Sequence, residues 1–239
     1  MSVLTLVRHG QASYMEADYD KLSLLGEEQA RKLGHFWVRH GLVFDRVFHG
    51  PANRHIRTME IAGSVVKAAG LPWPDPQEVT DLDEFDAFTM MRVMAPVLID
   101  IDPEIRMLSQ AFEENRDTPE AGRLLQKFFE AACRKWASGD VETPPVETWA
   151  QFRQRIGNSI DNLRRTAEPS TSTVAFTSGG PIAATIGFVL DLTAAKAIEF
   201  VWLSRNCSWT QFLHSGERFS MHSFNAIPHL DDLSLFSYR

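Results

Sequence analysis

Cysteine is nearly missing from this chain: among 239 residues only Cys133 and Cys207 occur, far apart and without metal-ligand spacing. That scarcity excludes a disulfide framework, argues against a zinc site, and leaves two thiols expected to be inert. No run of lysine and arginine builds a basic stripe, and the formal charge is -7. Neither nucleic acid nor an anionic membrane is therefore an expected partner, and an anionic substrate would have to be held by local charges. No stretch approaches about 18 consecutive apolar residues, the length a spanning helix needs. The opening MSVLTLVRHG lacks a basic region, a long apolar segment and a small-residue cleavage site, and reads as a strand; a cytoplasmic location is the expectation. Proline-, glycine- and serine-rich linkers are missing too, so residues 1–239 are expected to form one domain. At 44% hydrophobic and 23% charged, the chain has enough apolar surface to bury a sizeable core.

What is present is an alternation of strand-like and helix-like segments. Val3 to Val7 is an apolar, β-branched run that stops at Arg8-His9-Gly10, as a buried parallel strand would. Residues 24 to 40, LLGEEQARKLGHFWVRH, set Leu25, Gln29, Leu33, Phe36 and Trp37 near one helical face, with Ser23 as N-cap. A second strand over 46–49 breaks at Gly50-Pro51, and a helix over 53–69 closes at Gly70 and Pro72. Beyond an acidic connection, DPQEVTDLDEFD at 75–86, helix-period apolar spacing dominates 88–140 and marks a helical insertion. DVETPP is a break, and ETWAQFRQRIGNSIDNLRRTA resumes as a long amphipathic helix. TVAFTSGGPIAATIG then runs as a strand through a glycine pair into a helix. A helix near 194–203 and a hairpin of strands at 208–213 and 218–224 complete the pattern. The expected fold is a three-layer α/β/α sandwich with a mainly parallel sheet. Such sheets bind ligands beyond the carboxyl ends of their strands, and Arg8, His9, Arg54 and Ser178 all lie at or just after a predicted strand end.

Neutral imidazole is a good nucleophile near neutral pH, and guanidinium matches two phosphate oxygens, so Arg8-His9 suits phosphoryl transfer. Alone the dipeptide is weak evidence. The wider pattern is not: RHGQAS after one strand, YDKLSLLGEEQARKLG, GPANRHIRTMEIA after a second strand, LDEFD at 82–86, ETWAQFRQRI, FTSGG at 176–180 and NCSWTQFL. In this order the segments resemble the histidine phosphatase superfamily, the phosphoglycerate mutase-like family, over nearly the whole chain except the stretch from 88 to 140. The resemblance implies that His9 becomes phosphohistidine and that Arg8 and Arg54 clamp the phosphoryl group. Glu84 falls where the family places its proton donor, with Asp83 and Asp86 as competitors. Gln11, Ser13, Ser178 and Gly179 would contact phosphate or substrate; no metal or other cofactor is called for. The expected partner is a small phosphorylated molecule or a phosphoprotein. A phosphatase is favoured over a mutase because the acidic residue after RHG and the Ser-x-Trp-Asn pattern of the family's mutases are missing from QASYMEADYD.

One position departs from the pattern. Ser178 stands where the family carries a second histidine. Losing one such donor costs on the order of 2.7–4 kcal/mol of transition-state stabilisation. Three explanations compete. Ser178 can still donate, helped by the Gly179 and Gly180 N–H groups at a helix N-terminus; another histidine, His49 or His55, can fill the gap; or the protein binds phosphoesters with little turnover, as a regulatory protein would. Ser178 as an α/β-hydrolase nucleophile is disfavoured, because Phe176 occupies the place of the glycine that a nucleophile elbow requires. A helix-capping role for Ser178 is compatible with phosphate donation. The aromatic residues of the insertion, Phe112, Phe128, Phe129 and Trp136, suit either a pocket entrance or a homodimer surface.

Overall fold

The computed structural model describes residues 1–13, 20–141 and 146–238. The expectations for most of QASYMEADYD and for the end of DVETPP lie outside the described residues. Strands β1 (Ser2–Arg8), β2 (Arg46–His49), β3 (Gln77–Glu78), β4 (Ser172–Thr177), β5 (Trp209–Ser215) and β6 (Arg218–Ala226) form one sheet in the order β3-β2-β4-β1-β5-β6. Pairings from β3 through β1 are parallel, and β5 and β6 add antiparallel to the β1 edge. The sheet is thus mixed and mostly parallel, as alternating strands and helices imply.

Alternation along each strand splits the core into two layers. Leu4, Leu6, Phe48 and Ala175 face one cluster, whereas Val7, Val47, Val174 and Phe176 face the other. Helices α1 (Leu24–Arg39) and α2 (Asn53–Ala68) cover the second face. Ser23 Oγ accepts from Gly26 N–H and caps α1 as its sequence predicts. At the centre of this layer Trp37 is 1% exposed and meets the rings of Phe44, Trp73 and Phe176 at centroid distances of 4.9, 6.0 and 6.2 Å. Truncating such a side chain to alanine costs about 3–5 kcal/mol.

The other face carries α3 (Ala87–Ile101), α4 (Pro103–Glu114), α5 (Ala121–Ser138), α6 (Trp149–Arg165), α7 (Gly179–Val189), α8 (Ala194–Ala197) and α9 (Glu199–Leu203). Asp102 caps α4 through Glu104 and Ile105 N–H, and Thr148 and Gln151 form a reciprocal capping box on α6. The helical region expected over 88–140 is α3 to α5, packed into the core through Met90, Met94, Leu98, Ile105 and Phe128. Phe128 and Trp136 are buried there, so neither presents its ring as a dimer surface. Two other expectations need correction. The acidic connection contains the two-residue strand β3, and the helix expected over 194–203 is divided at Ile198 into α8 and α9. Among the described residues no helix is long and apolar enough to cross a membrane.

Candidate active site

Residues at the carboxyl ends of β1, β2 and β4 meet at one edge of the sheet. Arg8 ends β1 and His9 follows it; Gly10 then passes so close to α1 that a Cβ on it would fall 2.4 Å from the Gly26 carbonyl oxygen. The loop is pinned from several sides. His9 N–H donates to Thr177 O at 2.9 Å, Cys207 N–H donates to His9 O at 3.0 Å, and Gly10 N–H donates to Thr58 Oγ1 at 3.0 Å. Gln11 N–H donates to Gln29 Oε1, and Gln29 in turn reaches Leu235 O and Ser237 Oγ.

His9 is 5% exposed, and its Nδ1 lies 2.7 Å from the Gly10 carbonyl oxygen. A carbonyl only accepts, so the neutral ring carries its proton on Nδ1 and leaves the Nε2 lone pair open. Burial first, then the charges of Arg54 and Arg8, holds the His9 pKa well below 6.5. Arg8 donates through Nη1 to the Ser204 carbonyl, and its guanidinium carbon lies 3.7 Å from where a Cβ on Gly179 would stand. Arg54 comes from the first turn of α2. Its Nη1 pairs with Asp20 Oδ1 at 2.7 Å, and its Nη2 approaches Ser178 Oγ at 3.5 Å.

Glu84 enters between β3 and α3. Its carboxylate accepts from Gly180 N–H at 2.9 Å and from Phe85 N–H at 3.1 Å. Burial raises its pKa above 4.5 against the opposing pull of the Gly180 N–H and Arg54. The two neighbouring carboxylates are engaged differently: Asp83 accepts from Glu84 N–H, and Asp86 caps α3 through Thr89 N–H. Gln11 Oε1 accepts from Ser23 Oγ, and the buried Ser13 donates its N–H to Lys21 O. Arg57 pairs with Glu27 and Glu60 on the surface.

Ser178 follows β4 and is the N-cap residue of α7, yet its side chain makes no capping bond. The hydroxyl turns instead to His55, whose Nε2 lies 2.6 Å from Ser178 Oγ. His55 is fully buried, with its ring centroid 5.7 Å from that of His9. His49, the other candidate, bonds the Gly50 carbonyl through Nδ1. Gly180 N–H is committed to Glu84, so the expected pair of glycine N–H donors is reduced. A concavity of about 880 Å³, lined by Trp136, Trp149, Arg153 and Phe188 among others, contains none of these residues.

A family model described as the histidine phosphatase superfamily, branch 1, matches residues 4–93 and 95–227. The chain belongs to this superfamily. No curated protein matches it in sequence. Among solved structures, this chain is similar to phosphoserine phosphatase from Entamoeba histolytica in complex with 3-phosphoglyceric acid. That match has 17% identity and a TM-score of 0.64, over 96% of this chain and 100% of the other. Mycobacterial glucosyl-3-phosphoglycerate phosphatase with inorganic phosphate is 22% identical, with a TM-score of 0.60 over 96% and 99% of the two chains. Phosphoglycerate mutase from Bacillus anthracis is 17% identical, with a TM-score of 0.61 over 95% and 94%. At such identities the likeness is one of fold.

Several residues that shape the site escape sequence reasoning. Asp20, Gln29, Thr58 and Asn206 hold its parts together from positions distant along the chain. Gln29 offered one signal, being a polar residue on the apolar face of α1.

Proposed function

We propose that this histidine phosphatase hydrolyses phosphomonoesters through a phosphohistidine on His9. The observation that carries the reading is the His9 ring, buried, neutral and held by Gly10 so that Nε2 keeps its lone pair, with two arginines adding positive charge around it. Arg8 and Arg54 hold the phosphoryl oxygens, and Gln11, Ser13, Ser178 and the Gly179 backbone complete the pocket. Fixed cations suit this reaction because the transferring group spreads charge over its equatorial oxygens.

His9 Nε2 attacks phosphorus as the bond to the ester oxygen breaks. Glu84, its pKa raised by desolvation, gives its proton to the leaving oxygen, and the alcohol departs. Water then attacks the phosphohistidine, the N–P bond breaks with its electron pair returning to Nε2, and the Glu84 carboxylate takes the water's proton. Phosphate leaves, with His9 neutral and Glu84 protonated again. Asp86 fits the acid's role less well, since it caps α3 through Thr89 N–H and that bond lowers its pKa, and Asp83 accepts from Glu84 N–H rather than from Gly180. The substrate class is a phosphorylated small molecule or phosphoprotein.

The test is p-nitrophenyl phosphate turnover by wild type and His9→Ala, with phosphoenzyme trapped by rapid quench and tested for the acid lability of a phosphoramidate. Turnover and a labile phosphoenzyme in wild type, both lost in His9→Ala, are the expected result. Wild-type turnover no greater than that of His9→Ala overturns the reading.

A further inference from the structure

Ser178 Oγ has two neighbours that bear on its proton. Arg54 Nη2 stands 3.5 Å away and can only donate. His55 Nε2 stands 2.6 Å away, and its role depends on where the ring proton lies. The ring is fully buried, and that burial, with the charges of Arg54 and His49, favours its neutral form, which has one proton. Nδ1 packs against Gly50, where a Cβ would come within 2.6 Å of it; the Gly50 backbone exerts the smallest of the influences on the ring, favouring a proton, but no acceptor meets Nδ1 at hydrogen-bonding geometry. A buried N–H without an acceptor is costlier and rarer than an unused lone pair. The proton therefore belongs on Nε2, inside the bond to Ser178. Both lone pairs of Oγ are then met by donors, and among the described residues no carbonyl or carboxylate accepts the Ser178 hydroxyl proton.

We propose that His55 is a positioning residue that donates to Ser178 Oγ and so turns the Ser178 hydroxyl proton toward a phosphoryl oxygen. The two residues act as one neutral donor unit, dividing between α2 and the β4–α7 turn a task that a single histidine at 178 would perform alone. If His55 accepted instead, the hydroxyl would spend its proton on the imidazole and present a lone pair to an incoming phosphate dianion. No proton is transferred along the unit; His55 sets the direction of the hydroxyl. The inference rests on the pocket being a phosphoryl site.

The test combines kinetics with ring nitrogen NMR. Ser178→Ala and His55→Leu are each expected to lower kcat for p-nitrophenyl phosphate about a hundredfold, the loss typical of one missing donor, with KM changed less. The double variant should be no slower than either single one, because the two residues act together. His55→Gln, whose amide N–H can still donate to Oγ, should regain most of the loss, which a purely packing role for the ring would not predict. In the ¹⁵N spectrum of wild type, His55 should show a proton on Nε2, retained when inorganic phosphate is added. Additive losses, a His55→Gln variant as slow as His55→Leu, or an Nδ1-protonated ring with phosphate bound would overturn the inference. Should His55→Leu fail to fold, His55→Gln and the wild-type spectrum still decide. Loss of turnover in His9→Ala together with uncoupled His55 and Ser178 would sink the positioning unit alone. Turnover that survives His9→Ala would sink the phosphohistidine reading instead, and the tautomer would then be judged from the spectra.

Discussion

Glu84 and Gly180 touch across the candidate pocket. The carboxylate accepts from Gly180 N–H at 2.9 Å, and a Cβ on Gly180 would fall 1.8 Å from Glu84 Oε1. The α7 N-terminus therefore holds the proposed acid by a contact that tolerates only hydrogen. Gly180→Ala is expected to push the carboxylate out of place and slow hydrolysis of alkyl phosphates by about a hundredfold or more, the scale of general-acid catalysis. Aryl phosphates, whose leaving groups need less protonation, should lose much less. Steady-state rates on the two substrate types check this, and equal losses on both would remove Glu84 from the acid's role.

The two proposed catalytic groups shift in opposite directions. His9 must be neutral to attack, and its pKa lies well below 6.5, so the acid-side fall in kcat/KM belongs at low pH. Glu84 must be protonated to donate, and its pKa is raised from 4.5, so the alkaline-side fall follows as pH climbs past that raised value. The expected profile for alkyl phosphates is a bell whose acid limb belongs to His9 and whose alkaline limb belongs to Glu84. Glu84→Gln should abolish its alkaline limb at a much lower rate, which a pH series of kcat/KM would show.

His229 governs stability rather than chemistry. It is 5% exposed, stacked on Trp209 at 5.7 Å, without a hydrogen bond at either ring nitrogen, and burial lowers its pKa to about 3. Between the unfolded value near 6.5 and this folded value the unfolded chain binds the extra proton. Stability is therefore full above the first pH and falls as pH drops toward the second, by about 1.4 kcal/mol per pH unit in between. His229→Phe is expected to flatten that fall, measured as Tm from pH 7 to pH 4. An unchanged slope would show that other groups carry it.

Asp20 serves α2 twice. Oδ2 accepts Asn53 N–H at 2.8 Å at an N-terminus whose own N-cap, Ala52, makes no side-chain bond, and Oδ1 pairs with Arg54. Asp20→Ala is expected to cost about 1 kcal/mol in denaturant unfolding, as a lost cap does, and to raise KM for phosphate esters by letting Arg54 leave the position proposed for clamping phosphate.

Restoring a histidine at 178 is not a simple gain. Ser178 is 1% exposed and His55 fills the space behind it, so Ser178→His alone should destabilise by about 1–3 kcal/mol through overpacking. Combined with His55→Ala it gains room, and the double variant is expected to be both more stable and faster than Ser178→His. Thermal melts and p-nitrophenyl phosphate rates of the three proteins test this.

Local pattern determined much of this protein. The apolar run ending at Arg8, the Ser23 cap, the helical spacing of α1, α2 and α6, and the Gly216 hairpin are short-range features, and their elements formed where the spacing implies. The pattern also put Arg8, His9, Arg54 and Ser178 at or just after predicted strand ends, and the family resemblance added Glu84. Other features had no such signal: β3 is a two-residue strand in an acidic stretch, recognisable only because β2 lies beside it. Phe128 and Trp136 repeat at helical spacing whether they meet solvent or core, and only the packing of α5 against α3, α4, α6 and α8 buried them. Ser178 and His55 are 123 residues apart. Their types and local surroundings state what each can donate or accept, but the 2.6 Å between them exists only because β4 pairs with β2 and delivers its end to the first turn of α2.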